Sequence, residues 1–175
     1  MAAIRARPLF LAVTFPLVVF AAEPPTFYID RGACPFECCT YGTWRAKTDT
    51  RLFAEPKLKS QQVGSVPKGT SVQALTGEVH TVPGKLKVLR DASLYKAGDV
   101  LWVYTYLGEG IYKVWQDGKM VEEEIDVGPG NQQPHAWATW EKSPRSQWWA
   151  KIKLNDGTIG WTNKPRSFRG IDRCE

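Results

Sequence analysis

The chain has 175 residues and a formal net charge of +5, which is enough length for one domain or two very small ones. Its lysines and arginines are spread among acidic residues without a basic run. Nucleic-acid binding requires a concentrated basic patch, so we expect no nucleic-acid partner. The eight tryptophans, six tyrosines and seven phenylalanines are numerous, and most of them must supply core volume.

The first 21 residues are predicted to form a secretory signal peptide. Arg5 and Arg7 precede an apolar run over residues 9–22, and Val19 and Ala21 provide the small residues of a cleavage site. The run is shorter than the roughly 20 apolar residues that a membrane-spanning helix needs. We therefore expect cleavage after Ala21, no membrane span in the mature protein, and export to the periplasm or the extracellular space.

The next segment, residues 22–42, is rich in proline and contains Cys34, Cys38 and Cys39; the fourth cysteine is Cys174. An even number of cysteines in an exported chain predicts two disulfides. A bond between adjacent Cys38 and Cys39 is geometrically unfavourable, so Cys34 pairs with one of them and Cys174 with the other. The cysteines lack the paired C-x-x-C spacing of a zinc site, and we expect neither a metal nor another cofactor.

From residue 43 to residue 175 the sequence predicts an all-β region. Short runs of β-forming residues alternate with turn signals and show no sustained helical period. The densest run covers residues 99–108, and the Asp-Gly pairs at 117–118 and 156–157 are strong hairpin signals. The acidic stretch that begins at Glu122 is predicted to be a solvated surface excursion.

Two pairs of segments within this region resemble each other. Residues 66–75 are similar to residues 95–104, and residues 112–119 are similar to residues 150–158. The repetition suggests two barrel-like units divided near residue 93. Chance similarity between simple hairpins is the alternative, and it leaves one elaborated barrel with a long central insertion.

The segment "WWAKIKLNDGTIGW" resembles the closing hairpin of bacterial SH3-like (SH3b) domains. The residues that fit the family pattern are Trp149, Lys151, Ile152, Asp156, Gly157, Gly160 and Trp161. Upstream, residues 48–75 resemble the opening of the same family, whereas residues 76–146 depart from its compact length. The resemblance implies a small SH3-like barrel of about five short antiparallel strands. It also implies a non-catalytic targeting or ligand-binding module, often at the cell wall.

Catalytic chemistry finds little support in the sequence. The two histidines, His80 and His135, lie beside predicted turns or loops, and nothing in the sequence supplies either with a companion nucleophile. The cysteines are assigned to disulfides. We therefore predict that the protein is not an enzyme.

The adjacent tryptophans of "QWWAKIKL" must point to opposite faces of a strand. Trp148 shares its face with aliphatic residues and is predicted to lie in the core, whereas Trp149 shares its face with lysines and is predicted to be exposed. Two alternatives follow for an outward tryptophan: cover by the lysine stems, or contact with a ligand. The candidate ligand-binding residues are Trp149, Tyr112, Trp115, Trp137 and Trp140.

These features predict an exported, non-catalytic binding module of the cell envelope. Its expected ligand is a peptide or a peptidoglycan-type molecule, recognised through an aromatic surface. The alternative is a structural or assembly protein whose aromatic surface is a protein–protein interface.

Overall fold

The computed structural model describes residues 22–92, 94–127 and 136–174, so the predicted signal peptide and His135 lie outside the described residues. The described residues form β-strands and one short 3-10 turn, Pro165–Ser167. None of their helical segments is long and apolar enough to cross a membrane. The strands are β1 Tyr28–Arg31, β2 Gly42–Ala46, β3 Thr50–Phe53, β4 Gln62–Val66, β5 Ser71–Val82, β6 Gly84–Val88, β7 Val100–Gly108, β8 Ile111–Gln116, β9 Lys119–Glu124, β10 Ala138–Lys142, β11 Arg145–Lys153, β12 Ile159–Thr162 and β13 Phe168–Arg169.

The all-β prediction is confirmed: the strands pair into two antiparallel sheets. The first sheet has the order β13-β2-β5-β11-β12-β3-β4, with β1 also paired to β5, and it forms a half-barrel. Buried and exposed residues alternate along much of β5, as expected for a strand with one face on a core. That core contains the fully buried Trp44, Leu52 and Ile152 together with Trp148, which confirms the predicted core position of Trp148.

The second sheet is built from the middle of the chain. It has the order β10-β6-β7-β8-β9 and a separate hydrophobic cluster that includes Leu86, Val103 and Val114. The first sheet therefore takes its strands from both sides of this central segment. Residue 93, near which we predict a division, lies outside the described residues in the β6–β7 connection.

Both predicted Asp-Gly hairpins are present. Asp117 and Gly118 connect β8 to β9 with positive φ angles of 48° and 82°. A two-residue hairpin turn of this kind requires positive φ, which glycine adopts without steric cost. Gly157, with φ 88°, lies in the turn between β11 and β12. The local turn chemistry therefore sets both hairpins.

The prediction that a surface excursion begins at Glu122 is wrong. Strand β9 continues through Glu124 and pairs fully with β8. Beyond it, Ile125 and Val127 are only 3% and 7% exposed and belong to the second core. The apolar residues interspersed among the acids hold this stretch on the sheet, because burying each one stabilises the fold.

The cysteines form two disulfides, Cys34–Cys39 and Cys38–Cys174, with Cα–Cα distances of 5.5 and 5.8 Å. The prediction of two disulfides is confirmed, and the structure selects one of the two pairings left open by the sequence. The second bond spans 136 residues and ties the end of the described chain to the N-terminal segment. Disulfides of this kind indicate a non-reducing setting.

The Pro-rich lead-in joins the two sheets. The Tyr104 hydroxyl, on β7, donates a hydrogen bond to the Pro25 carbonyl at 2.7 Å. The Trp115 indole N–H, on β8, donates to the Ala22 carbonyl at 3.3 Å. A few residues later the same segment becomes β1 and pairs with β5 of the first sheet. Residues 22–31 therefore contact both sheets.

Candidate functional site

Trp149 lies on the opposite face of β11 from Trp148, but the prediction that it is exposed is wrong. Its side chain is only 3% exposed. Phe53 packs edge-on against the Trp149 ring, with ring centroids 6.1 Å apart. The His80 ring is tilted against the Trp149 ring, with centroids 6.4 Å apart. Strand alternation correctly separates the two tryptophans, but it does not reveal that residues of β3 and β5 cover the second face.

A groove of about 650 Å³ lies beside this covered tryptophan, and we call it the Trp149 groove. Trp149 and His80 form part of its wall, and Phe27 and Leu58 are 50% and 67% exposed at its margins. Its lining residues are Phe27, Pro56, Lys57, Leu58, Lys59, His80, Val82, Arg145, Ser146, Gln147 and Trp149. The groove is therefore largely apolar, with two exposed hydrophobic side chains available to a ligand.

The charged residues of the Trp149 groove are cationic. Lys57, Lys59 and Arg145 line it, and no carboxylate of the described chain does. Lys57 contacts Glu55 at 2.7 Å outside the groove, and this pairing lowers the pKa of the Glu55 carboxyl. Among the described residues neither Lys59 nor Arg145 forms an ion pair. These two charges remain available to an anionic ligand.

His80 is held in place by its neighbours. Its Nε2 atom lies 2.9 Å from a Glu78 carboxylate oxygen, and both side chains are largely buried. Glu78 also contacts Arg31 at 3.6 Å, and Phe27 packs edge-on against the His80 ring at 5.7 Å. His80 therefore lines the groove with one of its ring nitrogens already engaged by Glu78.

Two of the other candidate residues, Tyr112 and Trp140, lie on strands of the second sheet, and Trp137 immediately precedes β10. Tyr112 is 8% exposed and packs against Trp140 with ring centroids 6.0 Å apart. Trp140 donates its indole N–H to the Val127 carbonyl at 2.6 Å. Trp137 is partly buried, and it packs against the same second core. None of these residues lines the Trp149 groove.

Trp115 is also separate from the groove. It pairs across the strands with Trp102, whose ring lies 4.4 Å from the Lys85 ammonium. The Trp115 indole N–H is engaged by the Ala22 carbonyl. The five candidate residues therefore do not form one continuous aromatic surface, and their roles in ligand binding stay predictions.

Sequence reasoning missed most of the groove. Phe27, the loop residues Lys57–Lys59 and Arg145 come from three distant parts of the chain. The only local signal is Leu58, an apolar residue between two lysines in the β3–β4 loop. An exposed leucine by itself carries little information, so the grouping becomes visible only in the folded chain.

Among the described residues, one group of side chains has ligand atoms close enough together to hold a metal ion: Cys38, Asp172 and Cys174. The two cysteines are bonded to each other, so neither offers the thiolate that a metal requires. Within the described chain this cluster is therefore a structural crosslink.

Comparisons with family models, curated proteins and solved structures find no match to this chain. The resemblance to bacterial SH3-like domains therefore stays a prediction based on its short motifs. The class that the fold itself defines is an all-β, disulfide-bonded protein with two antiparallel sheets.

Proposed function

We propose that the protein is an exported, non-catalytic binding module of the cell envelope that recognises a peptide or peptidoglycan-type ligand in the Trp149 groove. The observation that carries this proposal is the combination of an apolar groove with the cationic side chains of Lys59 and Arg145, which form no ion pair with any described residue. The sequence resemblance and the predicted signal peptide point to the same class of protein.

The chemistry of the groove favours a ligand that has both an apolar group and a carboxylate. Phe27, Leu58 and the His80 ring supply apolar and aromatic contact area, which stabilises binding by about 25 cal/mol per Å² buried. Arg145 can bind a carboxylate with two parallel hydrogen bonds. Peptides of the cell wall carry free carboxylates and short aliphatic side chains, so they match both parts of the groove.

Export is supported by the disulfides. Two bonds that use all four cysteines are typical of proteins that mature outside the reducing cytosol. The predicted signal peptide over residues 1–21 supplies the route. Periplasmic or extracellular localisation would bring the groove into contact with cell-wall material.

The proposal is tested by mixing the purified mature protein with insoluble cell wall and measuring the fraction that sediments. We expect binding by the native protein and a loss of at least about tenfold in affinity for Arg145→Glu, because the substitution replaces an attractive charge with a repulsive one. Lys119→Glu, which makes the same charge change at an exposed position in β9, should bind normally. Recovery of all the native protein in the supernatant would overturn the proposal.

An assembly role is the second candidate, and exposed leucines favour it. Leu89 and Leu94 are 52% and 74% exposed in the β6–β7 connection, and a protein partner that covered them would remove their apolar surface from water. Sedimentation velocity over a wide concentration range tests self-assembly. A larger species that disappears with Leu94→Ser supports this role, whereas a concentration-independent monomer opposes it.

A further inference from the structure

A second cavity lies on the second sheet and shares no lining residue with the Trp149 groove. Its volume is about 360 Å³, enough for a small organic group. Its lining residues are Ala92, Tyr95, Glu123, Glu124, Asp126 and Trp137. We call it the Tyr95 cavity.

One wall of the Tyr95 cavity is aromatic. The rings of Tyr95 and Trp137 are nearly parallel, with an interplanar angle of 10° and centroids 6.0 Å apart. The Trp137 indole N–H donates to an Asp126 carboxylate oxygen at 2.6 Å, which fixes both groups. Aromatic faces attract cations through the ring quadrupole, and tryptophan does so most strongly.

The remaining wall is anionic. Glu123, Glu124 and Asp126 line the cavity, and no lysine or arginine that the structure describes does. The ion pairs formed by the described residues include none to these three carboxylates; the neighbouring Glu122, by contrast, contacts Lys113 at 3.6 Å. The cavity therefore carries negative charge that the described part of the chain does not neutralise.

An independent observation is the Tyr95 hydroxyl. Tyr95 is only 8% exposed, and its buried oxygen accepts no hydrogen bond from any of the described residues. Burial and the nearby charge of Glu123 raise its pKa to about 12, so the hydroxyl is neutral at physiological pH. The Glu123 carboxylate can only accept a hydrogen bond from this hydroxyl. The buried oxygen therefore still lacks a donor, which is costly, and a ligand N–H group would supply one.

The spacing of the carboxylates favours an organic cation over a metal ion. Among the described residues, the only metal-sized grouping of potential ligand atoms is the disulfide cluster at Cys38 and Cys174. No three potential ligand atoms of the Tyr95 cavity therefore lie close enough together to enclose one metal ion, within the part of the chain that the structure describes. An ammonium group on an alkyl chain can instead contact the aromatic wall and donate to separate oxygens.

We propose that the Tyr95 cavity binds a primary alkylammonium group, such as the side chain of a lysine residue in a peptide. The ammonium donates charge-assisted hydrogen bonds to Glu123 and one hydrogen bond to the Tyr95 oxygen. Its alkyl chain and charge contact the Trp137 ring. This site is separate from the proposed Trp149 groove, and either can fail experimentally without the other.

The test follows the Trp137 indole N–H by NMR in the mature protein, with Trp137→Phe used to assign the resonance. The probe is Nα-acetyl-lysine-N-methylamide, and the norleucine analogue is its neutral isostere. We expect saturable shifts with the lysine probe and none with norleucine. No shift with millimolar lysine probe, or equal shifts with both probes, would overturn the proposal.

Variants test how much individual side chains of the Tyr95 cavity contribute to binding of the lysine probe. Glu123→Gln should weaken lysine-probe binding about tenfold, because it removes the charge from one hydrogen bond. The control Glu141→Gln, at an exposed position in β10, should have no effect.

Tyr95→Phe should weaken binding of the lysine probe but not binding of its trimethylated form, which has no N–H to donate. If the trimethylated probe binds the native protein as tightly as the primary ammonium, the assignment to a primary ammonium is wrong. A dispersed NMR spectrum for each variant verifies its fold.

Discussion

Phe53 packs edge-on against Trp149, with ring centroids 6.1 Å apart and an interplanar angle of 79°. The two residues belong to β3 and β11, which are not adjacent in the first sheet, because β12 lies between them. The contact therefore covers the outer face of the sheet across an intervening strand, and it removes Trp149 from solvent. The local sequence pattern predicts that this face of β11 is exposed, but in the structure Trp149 is covered and forms part of the wall of a groove.

Phe53→Ala should uncover Trp149. The loss of this aromatic contact and its apolar area should lower the free energy of unfolding by about 2 kcal/mol. Chemical denaturation measures this loss, and acrylamide quenching of tryptophan fluorescence should increase. Ile159→Ala, at a side chain that is 46% exposed on β12, is the control and should change both quantities little. Unchanged quenching in Phe53→Ala would contradict the covering role.

The two disulfides should contribute unequally to stability. In the chain-entropy model, Cys38–Cys174, which spans 136 residues, contributes about 5 kcal/mol, and Cys34–Cys39, which spans five residues, contributes about 2 kcal/mol. Denaturation of the two double Cys→Ala variants measures the difference. Native protein should show no free thiols before reduction. A larger loss for the Cys34–Cys39 variant would contradict this account.

Asp30 should make stability depend on pH. Burial raises the pKa of its carboxyl above the ordinary value of 3.8, although Lys113, 4.0 Å away, opposes the shift. Because the folded-state pKa is raised, ionisation of Asp30 costs stability as pH rises through that pKa, and the cost is absent below pH 3.8. Asp30→Asn should therefore be more stable than the native protein at pH 7.

The advantage of Asp30→Asn should disappear near pH 3, where both proteins carry a neutral side chain at position 30. Denaturation midpoints measured across this pH range provide the check. Asp99→Asn, at an exposed carboxylate before β7, is a comparison with little burial. A variant that is less stable than the native protein at pH 7 would show that the Lys113 contact outweighs burial.

The contact between the lead-in and the second sheet should be measurable at Tyr104. Tyr104→Phe leaves the Pro25 carbonyl without its 2.7 Å hydrogen bond and should destabilise the protein by about 1 kcal/mol. Tyr106→Phe is the matched control, because that hydroxyl accepts only a long 3.4 Å hydrogen bond from Gly110 and the side chain is 38% exposed. Equal stability of the two variants would count against a role for the lead-in in joining the sheets.

The features that the sequence predicts well are local. An Asp-Gly pair determines its own turn, so the hairpin at Asp117 follows from two residues and their neighbours. The core position of Trp148 follows from the aliphatic residues that share its strand face. The number of disulfides follows from the cysteine count and the predicted export. The sequence does not determine whether Cys34 pairs with Cys38 or with Cys39.

The features that the sequence does not predict depend on contacts between distant segments. Phe53 reaches Trp149 across almost 100 residues, and Arg145 meets Lys59 at the same groove only because β11 and the β3–β4 loop fold together. Tyr95, in the β6–β7 connection, and Trp137, just before β10, likewise come from separate parts of the chain. Strand periodicity assigns a side chain to a face, but it does not say what covers that face.

The central claim is that the Trp149 groove binds a carboxylate-bearing peptide, and its most direct test is a titration with soluble peptidoglycan-derived peptide. The indole N–H resonance of Trp149, assigned with Trp149→Phe, reports on the groove by NMR. We predict a saturable shift that amidation of the peptide carboxylates abolishes and that Arg145→Gln weakens at least about tenfold. A shift that amidation leaves unchanged, or no shift at all with the intact peptide, would contradict the claim.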